Sequence, residues 1–167
     1  MKYWDTSAVV PLLMAEPTST ALRHLAESDA AMVVWWGTRI ECVSALARCV
    51  RENRLNAVTF AEVRRRLVAL TGNWNEVPPT DDVRTSAERI VTVHSLRAAD
   101  AIQLAGAIAA CDDATASLPF VSLDTRLREA AEREGFTILP ENAVRATAVR
   151  ERPPRRKQSS RTRQLRA

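Results

Sequence analysis

Two kinds of apolar pattern alternate along the chain. Short runs rich in β-branched or aromatic residues fall at Lys2 to Asp5, Met32 to Trp36, Phe120 to Leu123 and Thr137 to Leu139, each followed by polar or Pro/Gly punctuation. Such runs predict β-strands, and a shorter one falls at Asn75 to Val77. Between them, apolar positions recur at helical spacing over Val9 to Ala15, Thr18 to Ser28, Thr38 to Glu52, Thr59 to Thr71, Asp81 to Val93, Arg97 to Ala110 and Thr125 to Glu134. Most segments between strands are long enough for a crossover helix. The pattern therefore predicts an α/β fold, a parallel sheet covered on both faces in a layered sandwich. In such a sheet both neighbours of the pair Trp35 and Trp36 can be buried, one on each face.

Composition bounds this picture without changing it. A chain of 167 residues, 46% hydrophobic and 26% charged, is the size of one compact domain. The apolar run from Ala30 to Trp36 is too short to span a bilayer, and Met1-Lys2-Tyr3-Trp4-Asp5 carries an acid where a signal peptide needs apolar residues, so the expectation is a cytoplasmic protein with no membrane partner. Cys42, Cys49 and Cys111 have no C-x-x-C spacing and read as reduced core residues. Cys42 and Cys49 lie seven apart on one expected helix, roughly 10 Å, which is beyond disulfide reach.

Charge changes the picture at one end. The net charge is +4, yet residues 150–167 hold eight Arg or Lys and one Glu, leaving 16 basic and 19 acidic residues in the remainder. The body is mildly acidic. After Ala148 the composition shifts to R-E-R-P-P-R-R-K-Q-S-S-R-T-R-Q, which cannot bury enough surface to order itself. The expected organisation is a domain over residues 1–145 and a basic, disordered tail over 146–167.

Four carboxylates then stand out by placement. Asp5 ends the first strand and Asp124 a later one, both just before a helix; ligands of open parallel sheets bind beyond such strand ends. Each also fits a helix N-cap, which Asp favours. Glu41 follows Thr38 by three residues, the spacing of a capping box, and it too lies after a strand. Asp100, in L-R-A-A-D-A-I-Q-L-A-G-A, sits among small apolar residues where burial would be costly without a cation. Two carboxylates about 4 Å apart repel by roughly 4 kcal/mol at an effective dielectric near 20, so four converging acids call for a divalent ion. Hard oxygen donors suit Mg2+ or Mn2+, which can activate water and clamp a phosphodiester.

No other set competes. His24 falls in an amphipathic helix and His94 at a helix end, both suited to structural roles, and there is no nucleophile elbow or phosphate-cradling glycine loop.

At these residues the sequence resembles the PIN-domain family, and within it the VapC-type toxins of bacterial toxin-antitoxin pairs. The matching stretches are Y-W-D-T-S-A-V-V-P-L-L, T-R-I-E-C-V-S-A-L-A-R, L-R-A-A-D-A-I-Q-L-A-G-A and F-V-S-L-D-T-R-L-R-E-A-A, in the family's order, between about Lys2 and Leu139. The resemblance implies a PIN-like three-layer α/β/α sandwich and a Mg2+- or Mn2+-dependent endoribonuclease hydrolysing RNA with a metal-activated water. It implies that Asp5, Asp100 and Asp124 hold metal and that Glu41 orients metal or water. Hydroxyls after the first acid usually support the site, which points to Thr6 and especially Ser7, although Ser7 also fits a plain helix-start hydroxyl. It further implies a homodimer silenced by a cognate VapB-like antitoxin whose segment lies in a groove; Leu12, Leu13 and Met14 fit either that groove or the core. Gln103 departs from the family, where His often stands, and reads as a minor contact. Two other readings remain: a PIN-type RNA-processing nuclease without antitoxin, and a catalytically silent PIN-like RNA-binding module.

Overall fold

The computed structural model describes residues 1–14, 16–29 and 31–141; the expected tail, and the last residues assigned to the domain, lie outside them. Five strands, β1 (Lys2–Trp4), β2 (Met32–Trp35), β3 (Trp74–Val77), β4 (Phe120–Val121) and β5 (Ile138–Leu139), form one sheet in the order β3-β2-β1-β4-β5. Every pairing is parallel. Seven helices link them: α1 (Thr6–Leu13), α2 (Ser19–Glu27), α3 (Thr38–Arg51), α4 (Ala57–Thr71), α5 (Asp81–Val93), α6 (Ala98–Ala109) and α7 (Thr125–Arg133).

Alternation along the strands builds the layers. Tyr3, Val33 and Phe120 point into an apolar cluster with α5, α6 and α7. Their neighbours Trp4, Met32, Val34 and Val121 point into a second cluster with α1 to α4. Both faces of the sheet are thus covered, as parallel sheets require. The chain steps outward from β1 to β3, then returns across the sheet to β4. That reversal changes the helices from one face to the other under the right-handed crossover rule, and it leaves a switch point between β1 and β4.

Element bounds differ from expectation where side chains intervene. Helix α1 begins at Thr6 rather than Val9, because Asp5 leaves the strand to cap it. Strand β4 stops at Val121 rather than Leu123. Beyond it the Arg128 guanidinium donates to the carbonyls of Ser122 (2.7 Å), Leu139 (3.0 Å) and Pro140 (2.9 Å), tying both strand ends to α7. Trp35 packs against the first cluster, whereas Trp36 is half exposed, so the pair is not jointly buried. Leu13 is buried, and Leu12 and Met14 pack against the second cluster; these three serve the core. No helix among the described residues is long and apolar enough to cross a membrane.

Candidate active site

Strand β1 delivers Asp5 to the switch point, where its Oδ2 accepts the Ser7 backbone N–H at 3.1 Å and caps α1. Two hydroxyls donate to the same oxygen, Ser7 Oγ and, at 2.9 Å, Ser122 Oγ. Among the described residues every hydrogen bond to this carboxylate falls on Oδ2, so Oδ1 has no protein donor. The capping role is real, and it uses half of the group. Asp5 is 5% exposed, and burial raises its pKa to about 6; the Ser7 and Ser122 donors oppose the rise and the charge of Glu41 adds to it.

Ser7 does more than start a helix. While its proton serves Asp5, its oxygen accepts the backbone N–H groups of Leu123 (2.8 Å) and Asp124 (3.2 Å). It thereby pins the loop after β4 to the first turn of α1. Asp124 caps α7 by accepting the Leu127 N–H at 2.9 Å and is otherwise exposed.

Glu41 is no cap. Gly37 occupies the N-cap of α3 and no side chain caps that helix, so the spacing of Thr38 and Glu41 is not used as a capping box. Instead Glu41 Oε2 accepts Thr6 Oγ1 at 2.5 Å and Gln103 Nε2 at 2.9 Å. Thr6 and Ser7 therefore divide their work, one holding Glu41 and the other Asp5.

Gln103 is the hub of a buried network. It is 1% exposed, its Nε2 also reaches Thr38 Oγ1 and Thr6 Oγ1 at 3.2 Å, and its Oε1 accepts the Tyr3 hydroxyl at 3.1 Å. Gly106, three residues on, leaves room for that hydroxyl: a Cβ there would stand 2.9 Å from it. Asp100 lies three residues before Gln103 on the same face of α6, in its first turn. It is half-buried, and its pKa is raised, first by burial and then by the charge of Asp124, with Arg97 and Arg126 opposing.

The four acids thus form two electrostatically coupled pairs, Asp5 with Glu41 and Asp100 with Asp124. Ser7 links the pairs through the loop after β4, and one turn of α6 links them through Gln103 and Asp100. Among the described residues no three acidic, histidine or cysteine side chains stand close enough to enclose an ion. The donor chemistry nevertheless fits a hard cation: oxygen ligands only, a buried aspartate with one oxygen that no protein group donates to, and two carboxyls whose pKa is raised first by burial and further by a neighbouring carboxylate.

Other groups are spent elsewhere. The Cys42 thiol is buried beside Glu41 and pushed up to about 12, which keeps it protonated. His94 Nε2 meets Glu134 at 2.7 Å, and His24 is an exposed neighbour of Glu27. Sequence reasoning singles out neither Tyr3 nor Ser122, and reads Thr38 only as a capping partner of Glu41. Ser122 carried a faint signal, a hydroxyl two residues before Asp124 at a strand end; Gln103 carried a clearer one, the lone amide in an apolar stretch of α6.

Fold and site together define a three-layer α/β protein with carboxylates gathered at the switch point of a parallel sheet. The chain belongs to the PIN domain family, which it matches over residues 2–133. It is 31% identical over 142 residues to ribonuclease VapC45 of Mycobacterium tuberculosis strain CDC 1551, covering 83% of this chain and 94% of the relative. Ribonuclease VapC49 of Mycobacterium tuberculosis strain H37Rv matches at the same identity and coverage. The crystal structure of FitAcB from Neisseria gonorrhoeae shares the fold, with a TM-score of 0.58 at 18% identity over 83% of this chain and 96% of that one.

Proposed function

We propose that this chain is a VapC-like endoribonuclease that hydrolyses RNA phosphodiester bonds with Mg2+ or Mn2+ held by Asp5, Glu41, Asp100 and Asp124. The observation that carries the reading is the half-used carboxylate of Asp5, buried at the switch point with Oδ1 free, in a chain whose relatives are named ribonucleases. A bound ion would supply a water of lowered pKa and neutralise charge building on the phosphate. Asp5 would bind through Oδ1 while Ser7 and Ser122 fix its orientation. Asp100 and Asp124 would bind from the other side of the crevice. Glu41, held by Thr6 and Gln103, would orient water or metal.

Neutralisation by a cognate VapB-like antitoxin and assembly as a homodimer belong to the same proposal. The cleft between Trp35, Val83, Val91 and Ile102, about 500 Å3 and mainly apolar, is the surface suited to a second subunit. Purified protein should cleave RNA with Mg2+ or Mn2+ and not with EDTA, and Asp5→Asn and Asp100→Asn should each abolish cleavage. If both variants cut as well as the wild type, the site assignment is wrong. Co-purification with the product of a short reading frame adjoining the gene tests the antitoxin; light scattering tests the dimer.

A further inference from the structure

An RNA strand entering the crevice meets four carboxylates on a body that carries more acidic than basic residues through position 149. General attraction is therefore absent from the body, and phosphate must be held by cations placed locally. Such cations line a cleft of about 400 Å3 between the α5–α6 connection, at His94 and Ser95, and the face of α7 that carries Arg126, Glu129 and Arg133. Arg126 and Arg133 are seven residues apart, two turns along one helix face and about 10 Å along its axis.

Three observations make these arginines available to a phosphate. Both are exposed, and among the described residues neither joins an ion pair, whereas Arg54, Arg66, Arg84 and Arg89 do. Arg126 lies in the first turn of α7, where the helix dipole disfavours a cation, so helix stability does not account for it. Arg126 also follows Asp124, the N-cap of α7, by two residues, which puts this end of the cleft beside the acidic site. Among the described residues Glu129 is the only acid lining the cleft, and His94 is engaged with Glu134.

We propose that this cleft is a phosphate subsite, in which Arg126 and Arg133 hold the RNA backbone beside the scissile bond and the Ser95 hydroxyl donates a hydrogen bond. The inference rests on the ribonuclease reading and adds to it the path by which the strand leaves the acidic centre. Backbone contacts of this kind position a strand without reading its sequence.

The test is the salt dependence of binding by a fluorescent single-stranded RNA, measured by anisotropy in EDTA so that nothing is cleaved. Each phosphate contact on a single strand contributes about 0.7 to the slope of log K against log salt. The double variant Arg126→Ala/Arg133→Ala should lower that slope by about 1.4 and weaken binding at low salt at least tenfold. Arg126→Lys/Arg133→Lys should keep most of the slope, which separates charge from any fault in folding. In cleavage assays the double Ala variant should raise KM with kcat held within about twofold. Arg65→Ala, an exposed arginine on α4 in the opposite layer, should change neither quantity. An unchanged slope and KM in the double Ala variant, with a wild type that cleaves, overturns the subsite alone. An equal fall in slope for Arg65→Ala also overturns it, because the attraction is then general. A wild type that binds RNA with the expected slope loss in the variants, yet never cleaves, sinks the ribonuclease reading and keeps the phosphate cleft.

Discussion

Replacing Asp5 by asparagine separates what this residue does for the site from what it does to the fold. All three donors to Asp5 converge on Oδ2, so an asparagine can present its carbonyl oxygen to Ser7 and Ser122 and turn its NH2 toward the place of Oδ1, where no protein donor stands. The variant loses only the charge. In the wild type that charge is a burden without metal, because burial raises the pKa from 3.8 to about 6. The folded state therefore keeps a proton that the unfolded chain releases between about pH 4 and pH 6. Stability falls as pH rises through that window and stays reduced above it. At about 1.36 kcal/mol per pH unit, the rise corresponds to about 3 kcal/mol. Asp5→Asn in EDTA should then be about 3 kcal/mol more stable than the wild type at pH 8, with the gap closing below about pH 4. Urea unfolding across pH 3.5 to 8 measures it. Added Mg2+ should nearly close the gap, stabilising the wild type by about 2.7 kcal/mol at a hundredfold excess over Kd and the variant not at all. A variant less stable than the wild type at pH 8 in EDTA, or one as responsive to Mg2+, would refute the reasoning.

Further substitutions probe the network around the acids and, at Glu134, a separate ion pair. Gln103→Leu strands the buried Tyr3 hydroxyl and should cost about 2 to 4 kcal/mol; adding Tyr3→Phe should recover part of this, so a thermal double-mutant cycle that proves additive would show the contact to be idle. Ser7→Ala removes a donor from Asp5 and an acceptor from two N–H groups. It should lift the Asp5 pKa further above 6, read by carboxyl NMR titration, and cost about 1 to 3 kcal/mol. Glu134 is held low by the Arg89 guanidinium, with His94 adding to the effect, so its contribution is present above the ordinary carboxylate pKa and is lost as pH falls through the folded one. Glu134→Gln should cost about 1 to 2 kcal/mol at pH 7 and progressively less on acidification, as followed by urea midpoints; a cost that persists unchanged at pH 3 would mean the clasp is not electrostatic.

The architecture could be read along the chain because its signals are local. A parallel sheet covered on both faces writes itself as short apolar runs separated by helix periodicity, and five strands and seven helices lie where those patterns fall. One boundary that differs is set by a contact across the fold: nothing near Leu123 announces that Arg128 takes the Ser122 and Leu139 carbonyls. The other is local, because the Asp5 cap legible in the sequence starts α1 at Thr6, ahead of the apolar periodicity that begins at Val9.

The four acids could be found for the same local reason, since strand ends and first helical turns are visible in sequence. What holds them was legible only in part, through the family resemblance that points to Thr6 and Ser7. Local spacing assigns Glu41 to a capping box with Thr38, and the structure gives it to Thr6 and Gln103 instead, partners 35 and 62 positions away. Gln103 was readable only as a departure from the family's usual histidine, hence as a minor contact. Yet an amide offers what this position demands. Its NH2 donates toward Glu41 and the two threonine hydroxyls while its oxygen accepts from Tyr3, and it carries no charge into a region that already holds two carboxylates. A protonated histidine would neutralise Glu41 and a neutral one would supply a single donor. Gln103 therefore brings no cation to the Asp5 and Glu41 pair, and the proposed divalent ion is left to balance that charge.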